Sequence, residues 1–258
     1  SMKQRLASPT DIIDLSGISS LVGIKSEGES LVVGALTKHE EVATSALVSS
    51  EIPSIAKLAS NIGDAQVRNR GTIGGSIANS DPAADYPAAV LGLDATLVTN
   101  KRQIKADDFF VDMFETALED GAILQEVKFP KPDISVYKKL PNPASRYAVV
   151  GVFLARRNGQ VRVAITGAAP SVFRAAELES RLAESFSVDA IENVILENEL
   201  MNDDMHASAA YRASLCVVMT KRAVADVLKT SKVTLCVLSY CKTVPTPHKV
   251  ANHTGIDL

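Results

Sequence analysis

The chain has 258 residues, 46% of them apolar and 22% charged, with a formal net charge of -3. That composition excludes global disorder and gives enough chain to bury a sizeable core in one large domain or two modest ones. The slight acidic excess argues against a nucleic-acid binder, no apolar run reaches the ~18 residues of a membrane span, and Cys216, Cys236 and Cys241 form neither a disulfide framework nor a CxxC pair.

Ser1-Met2-Lys3-Gln4-Arg5 lacks the apolar core of a secretory signal, and Ser1-Met2 reads as an arbitrary start. Residues 21–35 carry two apolar runs around Ser26-Glu27-Gly28-Glu29-Ser30, a hairpin pattern. Thr37-Lys38-His39-Glu40 has the form of a capping box before a short helix, Glu40–Ser45. A second helix is expected from Ser54 to Ile62, with Ile55, Leu58, Ala59 and Ile62 on one face. A Gly- and Asn-rich stretch, 63–82, leads into the apolar run Tyr86–Leu93. Strands are expected at Ala95–Thr99, Ile104–Lys105 and Ile123–Phe129, the last closed by Pro130 and Pro132.

Lys131–Pro143 holds three prolines and reads as a connector, which puts a domain split near residue 141. Ala148–Arg156 and Val161–Gly167 alternate as a hairpin turned at Arg157-Asn158-Gly159-Gln160. Helices are expected at Val172–Glu184, Val188–Glu197 and Ala207–Lys229. Thr230–Leu258 changes character, β-branched at first and then rich in Pro, His and Asn. It reads as an undocked tail, or as an added edge strand through Val233, Leu235, Val237 and Leu238.

Chemistry concentrates at residues 68–89, RNRGTIGGSIANSDPAADYPAA. Gly71, Gly74 and Gly75 allow a tight turn and close approach of a ligand to main-chain N–H groups, and Thr72 and Ser76 add hydroxyls. Asn79, Asp81 and Asp85 add groups that suit sugar hydroxyls. The alternative is a plain surface turn. No Gly-Lys-Ser/Thr follows, so the loop is not a Walker loop, and it lacks the GxGxxG of a dinucleotide fingerprint. His39, His206, His248 and His253 are scattered without metal spacing, and Cys216 falls in an apolar helical run that suits a core position. Arg68 and Arg70 suit either phosphate or a solvated loop.

The run Gly71-Thr72-Ile73-Gly74-Gly75-Ser76-Ile77-Ala78-Asn79, then Asp81-Pro82-Ala83-Ala84-Asp85-Tyr86-Pro87, resembles the second FAD-binding motif of the flavin subunits of molybdenum hydroxylases. These are the medium subunits of the carbon monoxide dehydrogenase and xanthine dehydrogenase type. Met2–Pro9 and Ile13-Asp14-Leu15 look like the segment after the family's first FAD loop. Tyr137-Lys138-Lys139 and Ala144-Ser145-Arg146-Tyr147-Ala148 resemble the region that closes over the isoalloxazine. The resemblance spans about 2–229.

It implies an α+β fold. Residues 1–140 would be an FAD-binding domain of the p-cresol methylhydroxylase type, incomplete at its N-terminus because the first Ala-Gly-Gly-x-x-Leu loop would precede Met2. Residues 141–229 would be the family's small α+β C-terminal domain, and 230–258 an atypical tail. Thr72, Ile73, Gly74, Gly75 and Ser76 would line the FAD pyrophosphate and ribityl through N–H groups and hydroxyls. Asn79 and Asp85 would bond the ribityl chain or the adenosine side, with an N-cap as the alternative for Asp85. Lys138 would put a cation beside the flavin, or be a solvated strand lysine. Tyr147 would cover a ring face, or serve the hinge core. Molybdopterin and [2Fe–2S] clusters would sit on separate large and small partner subunits. The implied location is the cytoplasm, with peripheral contact at the inner face of the membrane as a variant. A stand-alone flavoenzyme and a non-catalytic, FAD-deficient assembly protein are the rival readings.

Overall fold

The computed structural model describes residues 10–243, with side chains as far as Thr230. The first hairpin forms where the apolar runs put it: β1 (Ile24–Glu27) pairs antiparallel with β2 (Ser30–Gly34), and Gly28 takes φ +55° in the turn. Six short helices follow: α1 (His39–Thr44), α2 (Ala46–Glu51), α3 (Pro53–Ser60), α4 (Ala65–Arg68), α5 (Ile73–Asn79) and α6 (Tyr86–Gly92). The expected capping box is displaced by one residue. Glu41 accepts from the Lys38 N–H at 3.2 Å, while the Thr37 hydroxyl is taken up by the Gly23 backbone at 3.0 and 3.1 Å.

β3 (Thr96–Thr99) and β4 (Gln103–Lys105) come next, then a small ribbon of β5 (Phe110–Asp112) and β6 (Glu115–Thr116), then β7 (Leu124–Pro130). The first sheet is antiparallel in the order β1-β2-β7-β3-β4. Leu31, Val33, Leu97, Val127 and Phe129 from it share one core with Ile55, Leu58, Ile73 and Ile77 from the helices.

The proline-rich connector is a strand. β8 (Ile134–Pro141) pairs along its whole length with β9 (Ala148–Arg157), and its register shifts only at Pro141, the strand end, where a missing N–H is tolerated. The second sheet runs β11-β10-β9-β8, with β10 (Gln160–Thr166) and β11 (Phe173–Arg174). β8 thus belongs to the second sheet although it precedes residue 141, where the sequence reading puts the split. The β9–β10 turn carries Asn158 at φ +49° and Gly159 at φ +80°, the pair of positive φ values that a tight hairpin needs.

Two expected helices are corrected. Val172–Glu184 begins as β11, because Phe173 and Arg174 pair with the edge of β10, and only α7 (Ala176–Glu184) is helical. Val188–Glu197 holds one 3-10 turn, Asp189–Ile191. Its Val188, Ile191 and Val194 spacing of three also suits a 3-10 turn laid on the sheet. The long helix α8 (Ala209–Thr243) continues past Lys229, so the edge-strand alternative for residues 233–238 does not hold. Whether residues 231–258 dock lies outside the described side chains.

β9 shows why the two units are one packed body. Val152 and Leu154 face the core beneath α7 and α8, while Phe153 and Ala155 face the core of the first unit. The period-2 alternation buries both faces of the second sheet.

Candidate functional site

Thr72 caps α5: its Oγ1 accepts from the Gly75 N–H at 3.1 Å. The N–H groups behind it are already engaged. Ile73 donates to Thr37 at 3.0 Å, Gly74 to Ala35 at 2.8 Å and Ser76 to Thr72 at 3.1 Å. The expected backbone cradle for pyrophosphate at 73–76 is therefore corrected, since Ile73 and Gly74 hold the turn onto the link between β2 and α1, and Ser76 closes the first turn of α5. What the turn presents outward is hydroxyls, an amide and the exposed Gly75, where a Cβ would crowd only Thr72 Oγ1.

A cleft of about 660 Å3 lies on one side of this turn. Gly75, Ser76, Asn79, Asp81 and Asp85 form one wall, Ile62, Gly63 and Val67 another, and Ser145 and Tyr147 a third. Thr72 faces a second cleft, of about 670 Å3, with Lys38, Asn69, Arg70 and Asp14. Ile73 and Gly74 are buried beneath both. Five of the nine expected site residues thus meet in one cleft (Gly75, Ser76, Asn79, Asp85 and Tyr147), and Thr72 borders its neighbour.

Lys138 is corrected. It lies on the opposite face of β8 and pairs with Asp226 of α8. The adjacent Lys139 reaches the cleft wall, with its ammonium 2.9 and 3.1 Å from the two Asp85 oxygens and 2.9 Å from the Asn61 carbonyl. Tyr137, two residues back on the same face, donates its hydroxyl to Asp85. Asp85 is only 4% exposed. Burial pushes its carboxyl above the usual range, opposed by Lys139 and then by the Tyr137 hydrogen bond. Asp85 occupies the N-cap position of α6, yet its side chain does not cap the helix. Burial and the Asp85 charge hold the Tyr137 hydroxyl un-ionised, well above its ordinary pKa.

The third wall is a loop closed on itself. Asn142 Oδ1 accepts from Ala144 and Ser145 at 2.9 and 3.3 Å, and its amide donates to the Tyr147 hydroxyl at 3.1 Å. The second sheet grips the Asp81–Asp85 loop. Thr166 Oγ1 lies 2.6 Å from the Ala84 carbonyl and 3.0 Å from that of Pro82, and Gly167 and Ala148 donate to Pro82 and Ala83. Sequence reasoning missed Asn142 and Thr166, and within the quoted segment Tyr137-Lys138-Lys139 it singled out Lys138 and passed over Tyr137 and Lys139. For these last two the signal was present, since a strand of period 2 puts Tyr137 and Lys139 on one face and Lys138 on the other.

Chemically, the first cleft offers hydroxyls, an amide and an aromatic ring, and the second adds two basic side chains. That donor set fits a sugar-bearing, aromatic, phosphorylated cofactor, and each cleft is of small-molecule size. Among the described residues, no group of three or more His, Cys, Asp or Glu is placed to hold a metal ion. Cys216 is buried in the second core, its thiol pushed up to about 12 by burial.

Comparison with known proteins agrees with this chemistry. Residues 1–132 match the family described as FAD binding domain in molybdopterin dehydrogenase, and residues 135–227 the CO dehydrogenase flavoprotein C-terminal domain. The chain belongs to the FAD-binding medium-subunit family of the molybdopterin dehydrogenases and is an oxidoreductase component. It is 32% identical over 238 residues to the carbon monoxide dehydrogenase medium chain of Hydrogenophaga pseudoflava, covering 86% of this chain and 83% of the relative. It is 32% identical to the glyceraldehyde dehydrogenase medium chain of Sulfolobus acidocaldarius, covering 88% and 86%. Among solved structures, carbon monoxide dehydrogenase from Oligotropha carboxidovorans superposes with a TM-score of 0.78 at 31% identity, covering 86% of this chain and 84% of that one.

Proposed function

We propose that this chain holds FAD along the two clefts that flank the Thr72–Gly75 turn and serves as the electron-relay subunit of a molybdenum hydroxylase complex. When bound, FAD would supply the redox chemistry of a relay between [2Fe–2S] clusters on a small subunit, with molybdopterin on a large subunit, and an external acceptor. A cytoplasmic location goes with this reading.

The chain's own residues bind and orient. Ser76, Ser145 and Asn79 offer neutral hydrogen bonds to a polyol chain. Tyr147, fixed by Asn142, presents a ring suited to stack on an aromatic system. Lys38 and Arg70 supply the positive charge that a pyrophosphate needs on the other side of the turn. The observation that carries the reading is the meeting of Ser76, Asn79 and Tyr147 across one cleft from both packed units.

The test is titration of the purified chain with FAD, read by flavin fluorescence and visible absorbance, followed by co-purification with co-expressed molybdopterin and iron–sulfur subunits. Saturable binding and a flavin-containing complex are expected. A chain that takes up no flavin in either setting overturns the reading.

A further inference from the structure

We infer that Lys139 and Asp85 form a charge-balanced pair that sets the electrostatic potential of the flavin cleft. The inference rests on the FAD reading above and extends it to how readily the bound flavin accepts charge.

The pair is built by strand alternation. Tyr137 and Lys139 face inward from β8, and Asp85 ends the loop that the second sheet grips. The Lys139 and Asp85 side chains are 6% and 4% exposed, so Lys139 lies behind Asp85, the partner that borders the cleft, with little solvent between them. A buried ion pair is weak evidence for stability, because apolar replacements of similar shape are often as stable. This pair is saturated as well as buried. Lys139 donates to both Asp85 oxygens and to Asn61, and Asp85 also accepts from Tyr137. Asp85 itself borders the cleft.

A lone buried cation here would favour added negative charge on a bound ring, and a lone carboxylate would oppose it, both acting through a poorly screened medium. Paired, they cancel, so that Asp85 adds no net charge to a wall that also carries the Asp81 carboxylate. A balanced pair suits a carrier that must give up the electrons it accepts.

The cycle of Asp85→Asn, Lys139→Met and the double variant tests this, with the midpoint potential of bound FAD as the readout. Asp85→Asn is expected to shift the potential positive, because Lys139 is left unbalanced. Lys139→Met is expected to shift it negative at alkaline pH, where the unbalanced carboxyl is ionised. The double variant is expected to return close to the wild-type value, and Lys139→Arg to keep it. If Lys139→Met does not fold, the Asp85→Asn shift and its reversal in the double variant decide the matter. Shifts of the same sign, or potentials that do not move while FAD stays bound, overturn the inference. A wild-type chain that takes up no FAD fails the functional reading itself, and this inference with it.

Discussion

Gly74 packs so closely on Ala35 that a Cβ at position 74 would stand 2.5 Å from the Ala35 Cβ and 2.7 Å from its carbonyl oxygen. Its neighbour Gly75 is exposed, and a Cβ there would crowd a single atom, the Thr72 Oγ1 that caps the helix, at 2.9 Å. The two glycines of the motif therefore do different things. Gly74 lets helix α5 lie on the end of β2, and Gly75 leaves room in the cleft.

Gly74→Val is expected to destabilise the fold by about 2–4 kcal/mol through overpacking against backbone that cannot yield. Gly75→Val should cost less, about 1 kcal/mol through the displaced Thr72 cap, and should weaken FAD uptake. Differential scanning fluorimetry beside a flavin titration checks both. Equal loss of stability in the two variants contradicts the distinction.

Asn142→Ala removes the acceptor for the N–H groups of exposed Ala144 and Ser145 and the donor to Tyr147. A cost of about 1 kcal/mol is expected, because water reaches the freed N–H groups. The released Tyr147 ring should also weaken flavin binding beyond what Tyr147→Phe does, since Phe keeps the ring and loses one hydrogen bond. Urea denaturation and flavin quenching on the two variants measure this.

His39 sits beneath the glycine-rich turn, 5% exposed, with Gly71 against its Nε2. Burial lowers its pKa from 6.5 to about 4. The folded state thus favours neutral imidazole, and between those values the unfolded chain binds more protons. The stability this group contributes is fully present above about pH 6.5 and is lost as pH falls toward 4, by up to about 3 kcal/mol. Thermal midpoints taken across that window should slope more steeply for the wild type than for His39→Gln. Parallel slopes rule the assignment out.

Arg212 is 2% exposed and donates to Val149 and Gly167 at 2.7 and 2.8 Å and to Asp204 at 2.7 Å. Arg212→Met leaves those carbonyls unpaired, for an expected loss of about 2–4 kcal/mol. Gly167 also holds the Asp81–Asp85 loop, so FAD affinity should fall with stability. An unchanged midpoint counts against this role.

The elements that could be read from the sequence were those with local causes. The Asn158-Gly159 hairpin needs only its own two residues, and the β1–β2 hairpin only its turn and flanking apolar runs. β8 was hidden because Pro132, Pro141 and Pro143 looked like a linker, whereas its pairing with β9 places Pro141 harmlessly at the strand end. Val188–Glu197 misled for a related reason, since apolar spacing of three does not separate a helix from a turn lying on a sheet. At the candidate site, the glycine-rich run is the local pattern that suggests a ligand. Which of its atoms are free depended on Ala35 and Thr37, contacts some 40 residues away along the chain that no local pattern encodes. The choice of Lys139 over Lys138 was encoded in strand period, but only once β8 was known to be a strand.

The grip of Thr166, Gly167 and Ala148 on the Asp81–Asp85 loop bears on how such a protein can be divided. One wall of the cleft is written in the first half of the chain and tied down by backbone and hydroxyl groups from the second. A fragment ending at residue 132 would carry the glycine motif intact yet leave its following loop without the four hydrogen-bond contacts from Thr166, Gly167 and Ala148. The second half is therefore an inseparable part of the cleft, and the two segments cannot be exchanged independently between relatives without remaking that seam.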